Sequence, residues 1–215
     1  MLQTNRIYPV EEIPYPPSPW KLRGQMWMGL FKTDIPIQLP AGLQHVGDPN
    51  SLIVVLVRYL EGSVLCYDEL AFGTLTRLGS RIGIYVDYIW VTDLASVWGG
   101  RRIWGLPKNL AEFHWDGSTV SVSDQQGPIA SLQVDTSPAS LPWLWAPTPG
   151  IGQLQDNNWV FTLGSLWGRF AGAGMHIQTW SERFGYHPAN EPTFGFAAKP
   201  FRMRVPAGRV VTKKG

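Results

Sequence analysis

The sequence predicts a mainly β protein, a single closed β-barrel with one short helix. Its 215 residues include 23 glycines and 18 prolines, which divide a chain into short strands separated by turns. Its 11 tryptophans favour pleated, half-buried surfaces or pocket walls over a helical bundle. The sequence has no internal repeat and no linker between domains. A single barrel fits this pattern best, because closure leaves no strand edge exposed.

Residues 1–19 are predicted to form a proline-rich arm on the surface, and residues 20–215 the barrel domain. Four prolines between positions 14 and 19 hold the segment Y-P-P-S-P extended and exclude a regular helix. The arm therefore contributes no strand to the predicted barrel.

Runs of apolar, β-branched and aromatic residues between turn signals predict the strands. The clearest is 51–59, whose centre is I-V-V-L-V, and Glu61 and Gly62 turn it into the next strand. The predicted strands are 20–32, 51–59, 63–78, 81–92, 110–115, 119–124, 129–134, 159–170, 175–180 and 194–206. Residues 35–50 and 136–152 are predicted loops. The second loop is dense in proline and tryptophan and is a candidate lid or subunit contact.

A change of period after residue 92 predicts the helix. The residues at helical spacing i, i+3, i+4 and i+7 are Leu94, Val97, Trp98 and Arg101. Asp93 can cap the amino end, and Gly105 can end the helix in the left-handed conformation. Pro107 forbids continuation. A helix of about three turns is thus expected to deliver Lys108 on the loop that follows.

The composition excludes several classes of function. Charged residues make up 16% of the chain and the net charge is +2, which indicates neither a nucleic-acid nor a membrane surface. The single cysteine, Cys66, excludes an internal disulfide framework, and the four histidines lack metal-ligand spacing, so no metal is expected. Without a signal peptide or a run of about eighteen apolar residues, we expect a cytoplasmic protein with no membrane span.

Lys108 lies in apolar surroundings that suit a nucleophilic amine. Its apolar neighbours in sequence are Trp104, Leu106, Leu110 and Phe113. A lysine amine in water has a pKa near ~10.4, so about one in two thousand is neutral at pH 7. Removal of water disfavours the ammonium form and makes an amine a better nucleophile. The alternative interpretation is a lysine whose stem covers apolar surface while its ammonium reaches water.

The segment G-R-R-I-W-G-L-P-K-N resembles the core motif of the acetoacetate decarboxylase family, G-R-E-x-x-x-x-P-K-K. The first lysine of that motif forms a Schiff base with the substrate ketone. The positions that match at identical spacing are Gly100, Arg101, Pro107 and Lys108. Arg102 stands where the family has glutamate, and Asn109 where it has the second lysine. The resemblance implies an acetoacetate-decarboxylase-like barrel in which Lys108 is catalytic, activated as in that family by desolvation or a neighbouring cation.

Further segments extend the resemblance over most of the chain. P-P-S-P-W-K is similar to the family's early P-Y-K segment, and F-R-M-R-V-P-A-G-R-V-V is similar to its last strand. C-Y-D-E places Glu69 on the position of a glutamate that lines the family's active site. An acid there is useful, because imine formation expels water and an enamine must gain a proton at carbon. The alternative is that Glu69 faces solvent.

The positions that would bind the substrate match the family's residues less closely. The family's substrate-contacting arginine falls on Gln25, and its earlier glutamate has no acidic counterpart. Arg23, Arg58 and Arg101 are candidate replacements, although Arg101 is equally suited to tie the helix to the barrel. Trp104, beside the lysine, is a candidate wall of the substrate pocket.

The leading hypothesis is a Schiff-base-forming lyase that acts on a small keto acid. The protonated imine on Lys108 would accept the electron pair released by decarboxylation, or by related aldol or dehydration chemistry. The resemblance therefore implies no metal, pyridoxal phosphate or other cofactor, and it implies a homo-oligomer.

Two alternatives stay open. P-P-x-P-W, Y-D-E-L and G-R-x-x-x-G-L-P also resemble plant proteins linked to neoxanthin deficiency, which favours a non-enzymatic or differently acting barrel that binds an apolar ligand. The third hypothesis is a structural subunit that contributes an oligomer surface.

Overall fold

A computed structural model describes residues 12–154, 156 and 158–211, and it confirms the mainly β prediction. A short helix, α1 (Leu94–Trp104), and a 3-10 turn, Glu182–Phe184, accompany the strands. The strands in chain order are β1 (Trp20–Lys32), β2 (Gln44–His45), β3 (Ser51–Tyr59), β4 (Tyr67–Leu78), β5 (Arg81–Val91), β6 (Lys108–Leu110), β7 (Glu112–Asp116), β8 (Thr119–Asp124), β9 (Gly127–Val134), β10 (Trp143–Gln153), β11 (Trp159–Gly172), β12 (Met175–Trp180), β13 (Phe194–Val205) and β14 (Arg209–Val211).

Seven of these strands close into a barrel. Their order around the barrel is β4, β3, β1, β13, β11, β10 and β5, and β5 pairs with β4 to complete the circle. The weakest seam is the one between β10 and β5, which are parallel and paired only at Gly150 with Ile84 and at Ile151 with Tyr85. The other end of β5 pairs instead with β6, where Ile89 lies beside Lys108. The short strand that begins with Lys108 therefore lies at the seam of the barrel.

A second sheet covers one outer face of the barrel. Its strands are ordered β12, β9, β8 and β7. Outward-facing side chains of the barrel, such as Phe31, Leu56 and Phe72, pack in one buried cluster with Val120 and Ile129 of this sheet. Because this cluster lies outside the barrel, the barrel interior is free to form a cavity.

The helix forms with the ends that its sequence predicts. The Asp93 side chain accepts a hydrogen bond from the Ser96 N–H at 2.6 Å and caps the amino end. Gly105 ends the helix with φ of 64°, in the left-handed region that favours glycine. These caps fix the point at which the chain leaves α1 and turns towards β6.

Two predictions about local structure are wrong. The predicted loop at 136–152 contains most of β10, a strand of the barrel wall. Proline is tolerated there because most of β10 is hydrogen-bonded to β11 alone. A proline, which lacks an N–H, can therefore face the unpaired side of the strand without loss of a hydrogen bond between strands. Lys108 begins a strand rather than lying on a loop, because β6 finds a free edge on the last part of β5.

The predicted arm is described from residue 12 onwards, and residues 1–11 lie outside the described part of the chain. Residues 12–19 have no regular structure and lie along α1. The Trp20 indole donates a hydrogen bond to the Pro16 carbonyl at 2.8 Å, and Glu12 pairs with Arg102 at 2.5 Å. Among the described residues, no helix is long and apolar enough to cross a membrane.

Candidate active site

The interior of the barrel is a cavity of about 420 Å³. All seven barrel strands line it, together with the end of α1 and the segment that leads to β6. Most of the lining is apolar. Apart from Thr148 and Thr162, the polar side chains cluster at one end and are Tyr59, Tyr67, Glu69 and Lys108, each of them buried. The cavity therefore joins a polar end to an apolar body.

Lys108 reaches this polar end across the surface of α1. A Cβ added to Gly100 would lie 2.5 Å from the Lys108 Cδ, so the glycine leaves the space in which the lysine stem packs. Lys108 itself is 3% exposed. This contact gives a physical reason for a glycine eight residues before the lysine, since any larger side chain would displace the amine.

The Lys108 ammonium has three hydrogen-bond acceptors around it. Its Nζ lies 2.7 Å from Glu69 Oε2, 3.0 Å from Ser96 Oγ and 3.3 Å from the Tyr67 hydroxyl. Three acceptors match the three N–H donors of a lysine ammonium. The structure thus brings Lys108 and Glu69, the two predicted catalytic residues, into direct contact.

Two tyrosines flank Glu69. The Tyr59 hydroxyl donates to Glu69 Oε1 at 3.2 Å, and the Tyr67 hydroxyl lies 3.5 Å from Oε2. Burial, and then the charge of Glu69, raise the pKa of both phenols well above 10. Tyr59 and Tyr67 therefore stay protonated at neutral pH and can act as hydrogen-bond donors towards oxygen.

Arg101 holds the backbone that carries the lysine. Its Nε donates to the Lys108 carbonyl at 2.7 Å, and its Nη2 donates to Asn109 Oδ1 at 2.9 Å. Both Arg101 and Asn109 are buried, and neither lines the cavity. Of the two alternatives for Arg101, this geometry favours the one that ties helix to barrel.

The other predicted substrate-binding residues separate into two groups. Trp104 lines the cavity, and its indole donates to the Pro206 carbonyl at 2.7 Å. Arg23 and Gln25 line a different depression on the outer face of the barrel. The structure does not bring them to Lys108, because they alternate along β1 with the cavity-lining Leu22 and Met26.

The sequence predicted neither Ser96 nor Tyr59 as part of this cluster. Ser96 lies one helical turn before Gly100, on the face of α1 that meets the lysine, so the i, i+4 spacing was an available signal. Tyr59 comes into place because it pairs directly with Tyr67 across β3 and β4. To predict Tyr59 would therefore have required the register of β3 against β4.

The fold and the buried lysine together define an acetoacetate-decarboxylase-like barrel. The family model for acetoacetate decarboxylase matches residues 8–143, which is more than half of the chain. The chain belongs to this family. No curated protein sequence matches it.

Solved structures share the fold at low sequence identity. Acetoacetate decarboxylase from Legionella pneumophila is 15% identical, with a TM-score of 0.68 over 97% of this chain and 93% of its own. The enduracididine biosynthesis enzyme MppR, complexed with pyruvate, is 14% identical, with a TM-score of 0.68 over 95% of each chain. An acetoacetate decarboxylase-like enzyme from Sphingomonas wittichii RW1 is 12% identical, with a TM-score of 0.58 over 91% and 94%.

Proposed function

We propose that this protein is a lyase that forms a Schiff base between Lys108 and the carbonyl group of a keto compound. The observation that carries the proposal is the 2.7 Å contact between the buried Lys108 amine and the buried Glu69 carboxylate at one end of the barrel cavity. Two charged groups removed from water lose hydration free energy, and transfer of one proton between them leaves an uncharged amine beside a neutral acid. The amine can then attack.

The first covalent step joins Lys108 Nζ to the carbonyl carbon. The carbon–oxygen π electrons move to oxygen, which takes a proton and becomes the hydroxyl of a carbinolamine. Glu69 gives the proton that the oxygen takes, and as a carboxylate it can then accept the amine proton and pass it to the new hydroxyl, which leaves as water and yields the protonated imine. Tyr59 and Tyr67 stay protonated and are placed to hold Glu69 and the developing oxygen charge.

The second step breaks a bond to the carbon next to the imine. In decarboxylation the bonding electrons move to the imine nitrogen and carbon dioxide leaves. In aldol cleavage a hydroxyl proton is lost and an aldehyde leaves instead. Both routes give an enamine, which gains a proton at carbon and is then hydrolysed to release Lys108. The keto acid expected from the family resemblance and a neutral aldol substrate share this chemistry.

The pyruvate bound to MppR and the acetoacetate decarboxylase fold support the proposal by analogy of fold alone. Conversely, the loss of the second lysine favours the alternative of a barrel that binds an apolar ligand without turnover. The apolar body of the cavity also favours that alternative.

Reductive trapping separates the two functions. The protein is incubated with acetone, pyruvate or acetoacetate and reduced with borohydride, and the labelled peptide is mapped by mass spectrometry. The lyase predicts a carbonyl-dependent adduct on Lys108 that Lys108→Met abolishes. The absence of any adduct across these compounds would favour the binding barrel.

We also propose that residues 20–215 form one domain and that the chain assembles as a homo-oligomer. The cytoplasmic location expected from the sequence stays a prediction.

A further inference from the structure

We propose that the substrate is an uncharged ketone or aldehyde with an apolar tail, whose carbonyl lies at Lys108 while the tail runs along the barrel to its open end. This inference rests on the proposed Schiff-base function and names the class of its substrate. It departs from the small keto acid expected from the family resemblance.

The charge of the lining argues against a free carboxylate. Among the described residues that line the cavity, Lys108 is the one basic side chain, and its ammonium already contacts Glu69. A substrate carboxylate near the reacting carbon would find no second cation in this lining to offset its lost hydration. Arg101, the nearest candidate in sequence, donates to the Lys108 carbonyl and to the Asn109 side chain instead.

The size of the cavity argues for a larger molecule than acetoacetate. A volume of about 420 Å³ lies in the range, roughly 300–1,000 Å³, that holds a drug-sized ligand. An acetoacetate molecule would leave most of this apolar space unfilled. An apolar tail would fill it and would gain free energy from every methylene removed from water.

The cavity lining further along the barrel from Lys108 is mainly apolar as well. The half-buried side chains that line the cavity include five apolar ones on β1, β3, β5, β11 and β13, which we call the mouth ring: Met28, Val55, Val86, Phe170 and Phe196. Nearer the amine, Leu22, Met26 and Val57 are fully buried. The lining is therefore apolar from the amine to the mouth ring.

Strand register fixes the distance between the reacting groups and the mouth ring. Glu69 pairs with Val57, which pairs with Met26, and these residues form the layer of the reacting groups. Met28 pairs with Val55 and with Phe196 one pleat further along, about 7 Å away for two residues of strand. A tail several carbons long is therefore needed to reach from the amine to the mouth ring.

The test is a series of straight-chain methyl ketones from acetone to 2-decanone, with acetoacetate beside them. The readout is the carbonyl concentration that gives half-maximal borohydride labelling of Lys108. We expect this concentration to fall about three- to four-fold for each added methylene until the cavity is full. Half-maximal labelling is expected to require a higher concentration of acetoacetate than of acetone.

Variants of the mouth ring sharpen the test. Phe196→Ser and Met28→Ser, made separately, are each expected to reduce the fall in half-maximal concentration that comes from the carbons that reach the mouth ring. Leu163→Ser is the matched control, because Leu163 lies on the outer face of β11 and is 56% exposed. It is expected to keep the full dependence on chain length. Thermal unfolding checks that each variant is folded. If one mouth-ring variant does not fold, the other is enough for the test.

The outcomes distinguish this inference from the function it rests on. Labelling of Lys108 that is independent of chain length, or that is strongest with acetoacetate, would overturn the apolar substrate and leave the Schiff base standing. No labelling of Lys108 by any carbonyl compound would overturn both.

Discussion

The barrel interior and the depression on its outer face have similar volumes, about 420 and 470 Å³, and opposite chemistry. The interior holds a single lysine, 3% exposed and paired with a carboxylate. The outer depression holds three cations, Arg23 of β1 and Lys199 and Arg202 of β13. Arg23 and Arg202 are exposed, and Lys199 is half-buried with its ammonium over the Trp27 ring, so none of the three is as buried as Lys108. Burial with one charged partner, not the number of charges, distinguishes the proposed reactive site.

The largest effect is expected from Lys108→Met. Labelling by any ketone should fall to background, because the sole amine in the described cavity lining is removed. Glu69 is then left buried without its partner, which is expected to lower the free energy of unfolding by about 3–5 kcal/mol in denaturant titrations. Adding Glu69→Gln to the same chain should recover part of that loss.

Lys199→Met is the matched control in the outer depression. It should change labelling of Lys108 by less than a factor of about two and stability by less than ~0.5 kcal/mol. If it reduced labelling as strongly as Lys108→Met does, the distinction between the two depressions would be wrong.

Glu69→Gln should slow imine formation by about 10²–10⁴-fold, because a carboxamide cannot accept the amine proton and return it to the leaving hydroxyl. Single-turnover labelling rates measure this effect. Glu61→Gln, which removes the carboxylate of the outer depression, is the control and should leave the rate unchanged. A Glu69→Gln rate within a few-fold of the parent would remove Glu69 from the proton transfer.

Tyr59→Phe should slow the same step by about ten-fold, the cost of one hydrogen bond to a charged group. Burial raises the pKa of Tyr59 well above 10, so the phenol is protonated throughout pH 6–9. The ratio of parent to variant rates should therefore be constant over that range. A ratio that shrinks towards pH 9 would mean that the phenol ionises there.

Tyr186→Phe provides the comparison for Tyr59→Phe. Tyr186 is also a buried tyrosine, with a pKa raised well above 10 mainly by burial, but it packs outside the barrel. Loss of the Tyr186 hydroxyl should leave the rate of Lys108 labelling unaltered.

The smallest effects are expected from Arg23→Ala and Gln25→Ala. Both residues lie on the outer face, so the concentration of ketone needed for half-maximal labelling should change by less than about two-fold. An increase of ten-fold or more for either would show that these positions contact the substrate.

The sequence predicted those features of the site that depend on local signals. The strands β1 and β3, the caps of α1 and the position of Lys108 after the helix depend on turn residues, side-chain period and capping. The Lys108–Glu69 pair came from a motif resemblance, and its contact distance was not predictable from spacing.

The features that the sequence missed depend on pairing between distant strands. Gln25 aligns with the family's substrate-contacting arginine and Arg23 was a candidate to replace it, yet a shift of one residue along a strand moves a side chain to the opposite face. The barrel strand β10 has prolines that favour a loop, and its role follows from having β11 as a neighbour. Tyr59 joins the site through its register with Tyr67.

The most direct test of the central claim is a crystal structure of the protein after borohydride reduction with 2-decanone. The account predicts continuous electron density from Lys108 Nζ, past Glu69 and along the barrel to Phe196. Density attached instead to Lys199 or another outer lysine, with an unmodified Lys108, would contradict it.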